Sequence, residues 1–147
     1  MNELLEDALK RTTLYSDGRL YAFAQLPAEA VTDATSILAE LPDPFSALLI
    51  DKDEITLVLP THAWETLAAR VPGAVRERDD YRLITFDAVL PPTLIGYMAR
   101  ISAALAAAGV PIFPFAAFSR DHLLVPANHF DQAWATLIHD VGLREME

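Results

Sequence analysis

The 147-residue chain contains no cysteine. That excludes disulfides, thiolate metal sites and a cysteine nucleophile together. Glycine is scarce, with five residues, and none falls in the spacing of a P-loop or a dinucleotide-binding turn. The four histidines, His62, His122, His129 and His139, form no i,i+4 pair and no HExxH motif, so the sequence offers no metal site. A GxSxG elbow is also missing. Ser119, Asp121 and His122 lie too close along one strand or turn to converge as nucleophile, base and orienter. Basic residues are few, 11 Lys and Arg against 21 Asp and Glu, for a net charge of -10 with no basic run. Nucleic acid and an anionic membrane surface are therefore not expected partners. Long hydrophobic runs are lacking too. The stretch from Ile101 to Phe118 is interrupted by Gly109, Pro111 and Pro114, and the acidic start Met1 to Ala8 has no signal-type apolar core. The expectation is a cytoplasmic protein without cofactor, metal or catalytic centre.

What the chain does have is a globular composition, 52% hydrophobic and 22% charged, enough to form a packed core. Its length admits one domain or two small ones. After a short N-terminal helix over residues 2 to 11 and a turn at Ser16-Asp17-Gly18, Arg19 to Leu26 reads as a strand stopped by Pro27. Val31, Ala34, Leu38 and Leu41 form a helical stripe. A hairpin is expected across Asp51-Lys52-Asp53-Glu54, and a helix carrying Trp64, Leu67, Ala68 and Val71 follows Pro60. The carboxylates at that hairpin and at Asp79-Asp80 are read as solvated turn charge.

The order then repeats. Arg82 to Val89 reads as a strand, and a helix from about Thr93 keeps Leu94, Met98, Ile101 and Leu105 on one face up to Gly109. Strand-like runs at Val110 to Phe118 and His122 to Val125 flank Ser119-Arg120-Asp121, a helix spans Phe130 to His139, and Val141 to Met146 supplies a short closing strand. Pro44-Phe45 matches Pro114-Phe115 at an offset of 70, as does Ala63-Trp64-Glu65-Thr66-Leu67 with Ala133-Trp134-Ala135-Thr136-Leu137. Internal duplication is the inference. Trp64 and Trp134 are read as equivalent core anchors. The expected fold is α+β, two tandem ferredoxin-like βαββαβ domains with antiparallel sheets and helices on one face, residues 1–78 and 79–147.

Three stretches carry a family resemblance: Phe86-Asp87 followed by Gly96; Ala106-Ala107-Ala108-Gly109-Val110-Pro111-Ile112-Phe113; and Ser119-Arg120-Asp121-His122-Leu123-Leu124-Val125-Pro126. With Asp53 to Val58 in the first half, they resemble tandem ACT-domain proteins, related to aspartate-kinase regulatory domains and to CASTOR-like amino-acid sensors. The resemblance implies non-catalytic regulatory binding of a small molecule, an amino acid by family habit, at an interface between ACT-like units. It implies a homodimer and a regulated enzyme partner. The ligand positions it implies are Asp87, Leu90, Thr93, Leu94, Ile95, Gly96, Ile112, Phe113, Phe115, Ser119 and Asp121. Backbone N–H groups of Thr93 to Gly96 at a helix start suit a carboxylate, and Asp87 or Asp121 suits a cationic group. The alternative is an oligomerisation module that holds no ligand.

Overall fold

The computed structural model describes residues 2–146. They form two compact units, Arg19–Tyr81 and Arg82–Glu147 joined by Met1–Gly18. Among the described residues no helix is long and apolar enough to cross a membrane.

The Arg19–Tyr81 unit contains β2 (Leu20–Pro27), α2 (Val31–Glu40), β3 (Ala47–Ile50), β4 (Glu54–Pro60), α3 (Trp64–Arg70) and β5 (Val75–Arg76). The strands hydrogen-bond in the order β3, β4, β2, β5, all antiparallel. That is the order of a ferredoxin-like sheet. Alternation along β2 and β4 sends Ala22, Ala24, Leu26, Ile55, Leu57 and Leu59 into one core. Ala34, Ile37 and Leu67 close it from the two helices. Asp51 accepts hydrogen bonds from the backbone N–H groups of Asp53 and Glu54 at 2.8 and 3.0 Å, so this carboxylate builds the hairpin turn as expected.

The other unit contains β6 (Tyr81–Asp87, starting at the unit boundary), α4 (Tyr97–Ala107), β7 (Phe113–Ala116), β8 (Asp121–Pro126) and α5 (Phe130–Thr136). Its closing strand is not the one expected from Val141 to Met146. The place beside β6 is taken by β1 (Thr13–Tyr15), antiparallel, with Leu14 opposite Phe86. The C-terminal β9 (Arg144–Glu145) pairs outside it, parallel to β1. The sheet order is β7, β8, β6, β1, β9. Helix α1 (Asn2–Arg11) follows β1 into this unit, burying Ala8 and Leu9 in the same core as Ile84, Phe86, Ile101 and Leu105. The segment that the sequence reading grouped with the first domain thus packs with the second. The physical reason is local: β9 has two residues, too few to cover the β6 edge, while β1 brings Leu14 and a helix.

The repeat follows the 66-residue offset of Pro60 and Pro126, not the 70-residue offset of the tryptophan match. Ala47 faces Val58 as Phe113 faces Leu124, and both correspondences are 66 positions apart. Pro60 (φ -55, ψ 138) and Pro126 (φ -54, ψ 140) end their strands identically, each followed by one 3-10 turn and a helix. Trp64 therefore corresponds to Phe130, not to Trp134. The match at 70 is a slip of four residues, about one helical turn, which leaves the apolar stripe on the same face. Both tryptophans are partly buried at the edges of their cores, and Arg76 lies over the Trp64 ring at 6.0 Å.

Candidate functional site

The two units differ most in the loop after their first strand. Pro27 and Asp87 are 60 positions apart, yet Val31 and Tyr97, where the next helices start, are 66 apart. Six extra residues therefore lie between β6 and α4. In the first unit the connection is Ala28 to Ala30, closed by the Ala30 N–H donating to Pro27 O at 3.0 Å. In the second unit the longer loop walls a hollow of about 400 Å³.

The path of this loop follows from its residues. Pro92 keeps the preceding Pro91 out of helical backbone and opens a turn in which the Leu94 N–H donates back to Pro91 O at 3.0 Å. Gly96 then takes a left-handed conformation, φ 90, as the residue preceding α4. A Cβ there would stand 3.4 Å from Leu5 Cδ2 on α1. The helix consequently starts at Tyr97, four residues later than the periodicity implied. Its first N–H groups belong to Tyr97, Met98 and Ala99, replacing those expected from Thr93 to Gly96. No side chain caps that end and no acidic residue stands in the first turn, which leaves the donors and the positive end of the helix dipole uncompensated.

Five of the expected ligand residues, Leu90, Leu94, Gly96, Ser119 and Asp121, meet in the wall of this hollow. The Leu90 N–H donates to Ser119 O at 2.8 Å, which ties the loop to the β7–β8 turn. Asp87 stands outside the wall but is bound to it, because Arg120 donates to Asp87 Oδ1 at 2.6 Å. Thr93 and Ile95 belong to the loop without lining the hollow, and Ile95 is exposed. Ile112 packs against the core, while Phe113 and Phe115 sit in β7 opposite Leu124 and His122. These three do not reach the hollow.

Among the wall residues that escaped the sequence reading are Tyr97, Met98, Phe118 and Arg120. Tyr97 and Met98 sit within a helical stripe, where period alone assigns them to the core. Phe118 closes the strand-like run that begins at Val110, and strand pattern alone gives it no role in a site. Thr12 donates to Ala8 O at 2.6 Å, so the Tyr97 hydroxyl donates to Thr12 Oγ1 at 2.7 Å. Burial pushes the Tyr97 phenol up to about 12, and it stays neutral at physiological pH.

The Asp121 carboxylate has no hydrogen-bond or ion-pair partner among the described residues, and burial raises its pKa. An unpaired, half-buried carboxylate is a cost that a cationic group would relieve. No three His, Asp or Glu side chains among the described residues group so as to hold a metal ion.

Beside Asp121, His122 Nδ1 meets Thr85 Oγ1 at 2.8 Å. Burial, and then the Arg120 charge, lower the His122 pKa from 6.5. The folded state thus favours the neutral ring, and the unfolded chain takes up the proton first as pH falls. Stability from this group is full above about pH 6.5 and is lost as pH falls through the lowered value. The urea midpoint is expected to decline on acidification from pH 7 to 5, and to decline less in His122→Gln. An equal decline in the two proteins would dismiss the coupling.

No curated protein matches the chain in sequence. The ACT domain family model matches residues 76–139. Among solved structures, an Agobacterium tumefaciens protein is similar at 20% identity and TM-score 0.72, covering 92% of each chain. A Vibrio cholerae protein of unknown function gives 22% identity and TM-score 0.71, covering 96% of this chain and 95% of that one. The ligand-free regulatory subunit of aspartate kinase from Thermus thermophilus gives 13% and 0.65, covering 88% and 97%. At such identities the structural likeness speaks for the fold, and the tandem ferredoxin-like reading stands. The family match adds that residues 76–139 of this chain are similar to an ACT domain.

Proposed function

We propose that this protein is a non-catalytic regulatory module that binds an amino acid in the hollow between the β6–α4 loop and the β7–β8 turn. The observation that carries the reading is Asp121, an unpaired carboxylate in the wall of a hollow that also holds the uncapped start of α4. An amino acid presents the complementary pair of charges: its ammonium answers Asp121, and its carboxylate answers the N–H groups of Tyr97 to Ala99. The volume of about 400 Å³ lies within the range of small-molecule pockets, about 300–1,000 Å³. The similarity to the regulatory subunit of aspartate kinase supports regulation of a partner enzyme; a homodimer in the cytoplasm completes the proposal. The short Ala28 to Ala30 connection in the first unit implies one ligand per chain.

Thermal melting with each of the twenty standard amino acids tests the reading. A ligand at a hundredfold excess over its dissociation constant adds about 2.7 kcal/mol, a shift of several degrees for a protein of this size. Asp121→Asn is expected to abolish the shift while leaving the ligand-free melting temperature equal or slightly higher, because an unpaired, half-buried charge has been removed. A marked loss of ligand-free stability would instead identify Asp121 as a structural turn residue.

The second reading, assembly without ligand, is favoured by β3. This strand ends its sheet and is wholly apolar, with Leu49 and Ile50 more than half exposed, the kind of edge that pairs with another chain. Absence of any thermal shift together with a concentration-dependent dimer in sedimentation would select it.

A further inference from the structure

We infer that the hollow selects amino acids whose side chains are uncharged and apolar, with Leu94, Met98 and Phe118 setting the preference. This rests on the amino-acid reading of the site and narrows it to a ligand class.

The charges on the wall give the first argument. Only Arg120 and Asp121 are charged among the lining residues. Arg120 is engaged by Asp87 at 2.6 Å, which leaves Asp121 as the one unsatisfied charge. One carboxylate answers the ammonium that every amino acid carries. Nothing remains for a charge on the ligand's side chain, which would give up hydration without gaining a partner.

The remaining wall gives the second argument. Leu90, Leu94, Met98 and Phe118 present apolar surface, and Pro91 and Pro92 stiffen the loop that carries part of it. Met98 is unbranched and polarisable, suited to ligand side chains of somewhat different shape. Phe118 is the most telling residue. Its relative exposure is 103%, so at the tip of the β7–β8 turn it buries nothing within its own chain. Covering it with an aliphatic or aromatic ligand side chain removes apolar area from water on both partners. A charged or hydroxylated side chain recovers little of that gain.

Isothermal titration of the full-length protein with L-leucine, L-methionine and L-phenylalanine, against L-lysine, L-glutamate and L-threonine, tests the inference. The apolar group is expected to bind at least about tenfold more tightly, since the difference amounts to more than one buried methylene. Phe118→Ser is expected to weaken the apolar ligands by about tenfold and to leave the melting temperature of the free protein unchanged. Binding of lysine, glutamate or threonine as tight as that of the apolar group overturns the inference and leaves the amino-acid site standing. Undiminished apolar binding by Phe118→Ser removes that residue from the selecting wall. If none of the twenty amino acids binds, this inference and the reading beneath it fall together.

Discussion

Leu14→Ala is expected to destabilise the unit formed by Arg82–Glu147 and Met1–Gly18 by about 2–5 kcal/mol, a large part of the roughly 5–15 kcal/mol that holds a domain folded. Leu14 is fully buried and sits on β1 directly opposite Phe86 of β6. The same short strand carries β9 on its other side, so a cavity there loosens two ladders. Each unit holds one tryptophan, which makes the effect separable. In a Trp64→Phe background, emission from Trp134 reports the unit containing Leu14. Its denaturant midpoint should fall strongly, whereas Leu4→Ala on the exposed side of α1 should move it by no more than about 0.5 kcal/mol. An unmoved midpoint in Leu14→Ala would show that the N-terminal strand is an appendage and not part of the fold.

Phe86→Ala is expected to cost about 3–5 kcal/mol and, in addition, to blunt any response to amino acids. The Phe86 ring is fully buried, and its edge-to-face contact with Tyr97 has centroids 6.2 Å apart at 89°. Tyr97 is the first residue of α4 and lines the hollow. Losing the ring behind it frees the helix start that presents the N–H groups to a ligand. The thermal shift with a binding amino acid should shrink by more than that of Tyr97→Phe, which removes only the hydrogen bond to Thr12, worth about 1 kcal/mol. Equal shifts in wild type and Phe86→Ala would separate the core from the site. Because Leu14 and Phe86 are cross-strand neighbours, the double variant should depart from additivity by about 0.5–3 kcal/mol.

Much of the fold was legible because its signals are local. The alternation in Ala22, Ala24 and Leu26, the proline stops at Pro60 and Pro126, and the stripe Ile101 and Leu105 each depend on neighbours a few residues away. The polar turn at Asp51 to Glu54 was read for the same reason. Within the candidate site, Leu90, Leu94, Gly96, Ser119 and Asp121 were reached through the family resemblance, and they share one wall. The helix start at Thr93 was misplaced because Leu94 and Met98 fit a helical period even though Gly96, left-handed between them, keeps the helix from starting before Tyr97. The 70-residue repeat misled because a four-residue slip preserves the face of a helix.

By itself the sequence determined the kind and order of most elements, the repetition of a β-α-β-β-α order, and the acidic charge of the chain. Only the tertiary structure decided which strand completes the second sheet, since Thr13–Tyr15 lies some seventy residues from its partner in β6 and pairing across that distance leaves no local periodicity. It also decided that the six-residue excess before α4 opens a hollow with Asp121 unpaired in its wall. Whether a carboxylate has a partner depends on what the fold brings beside it, and no spacing along the chain records that.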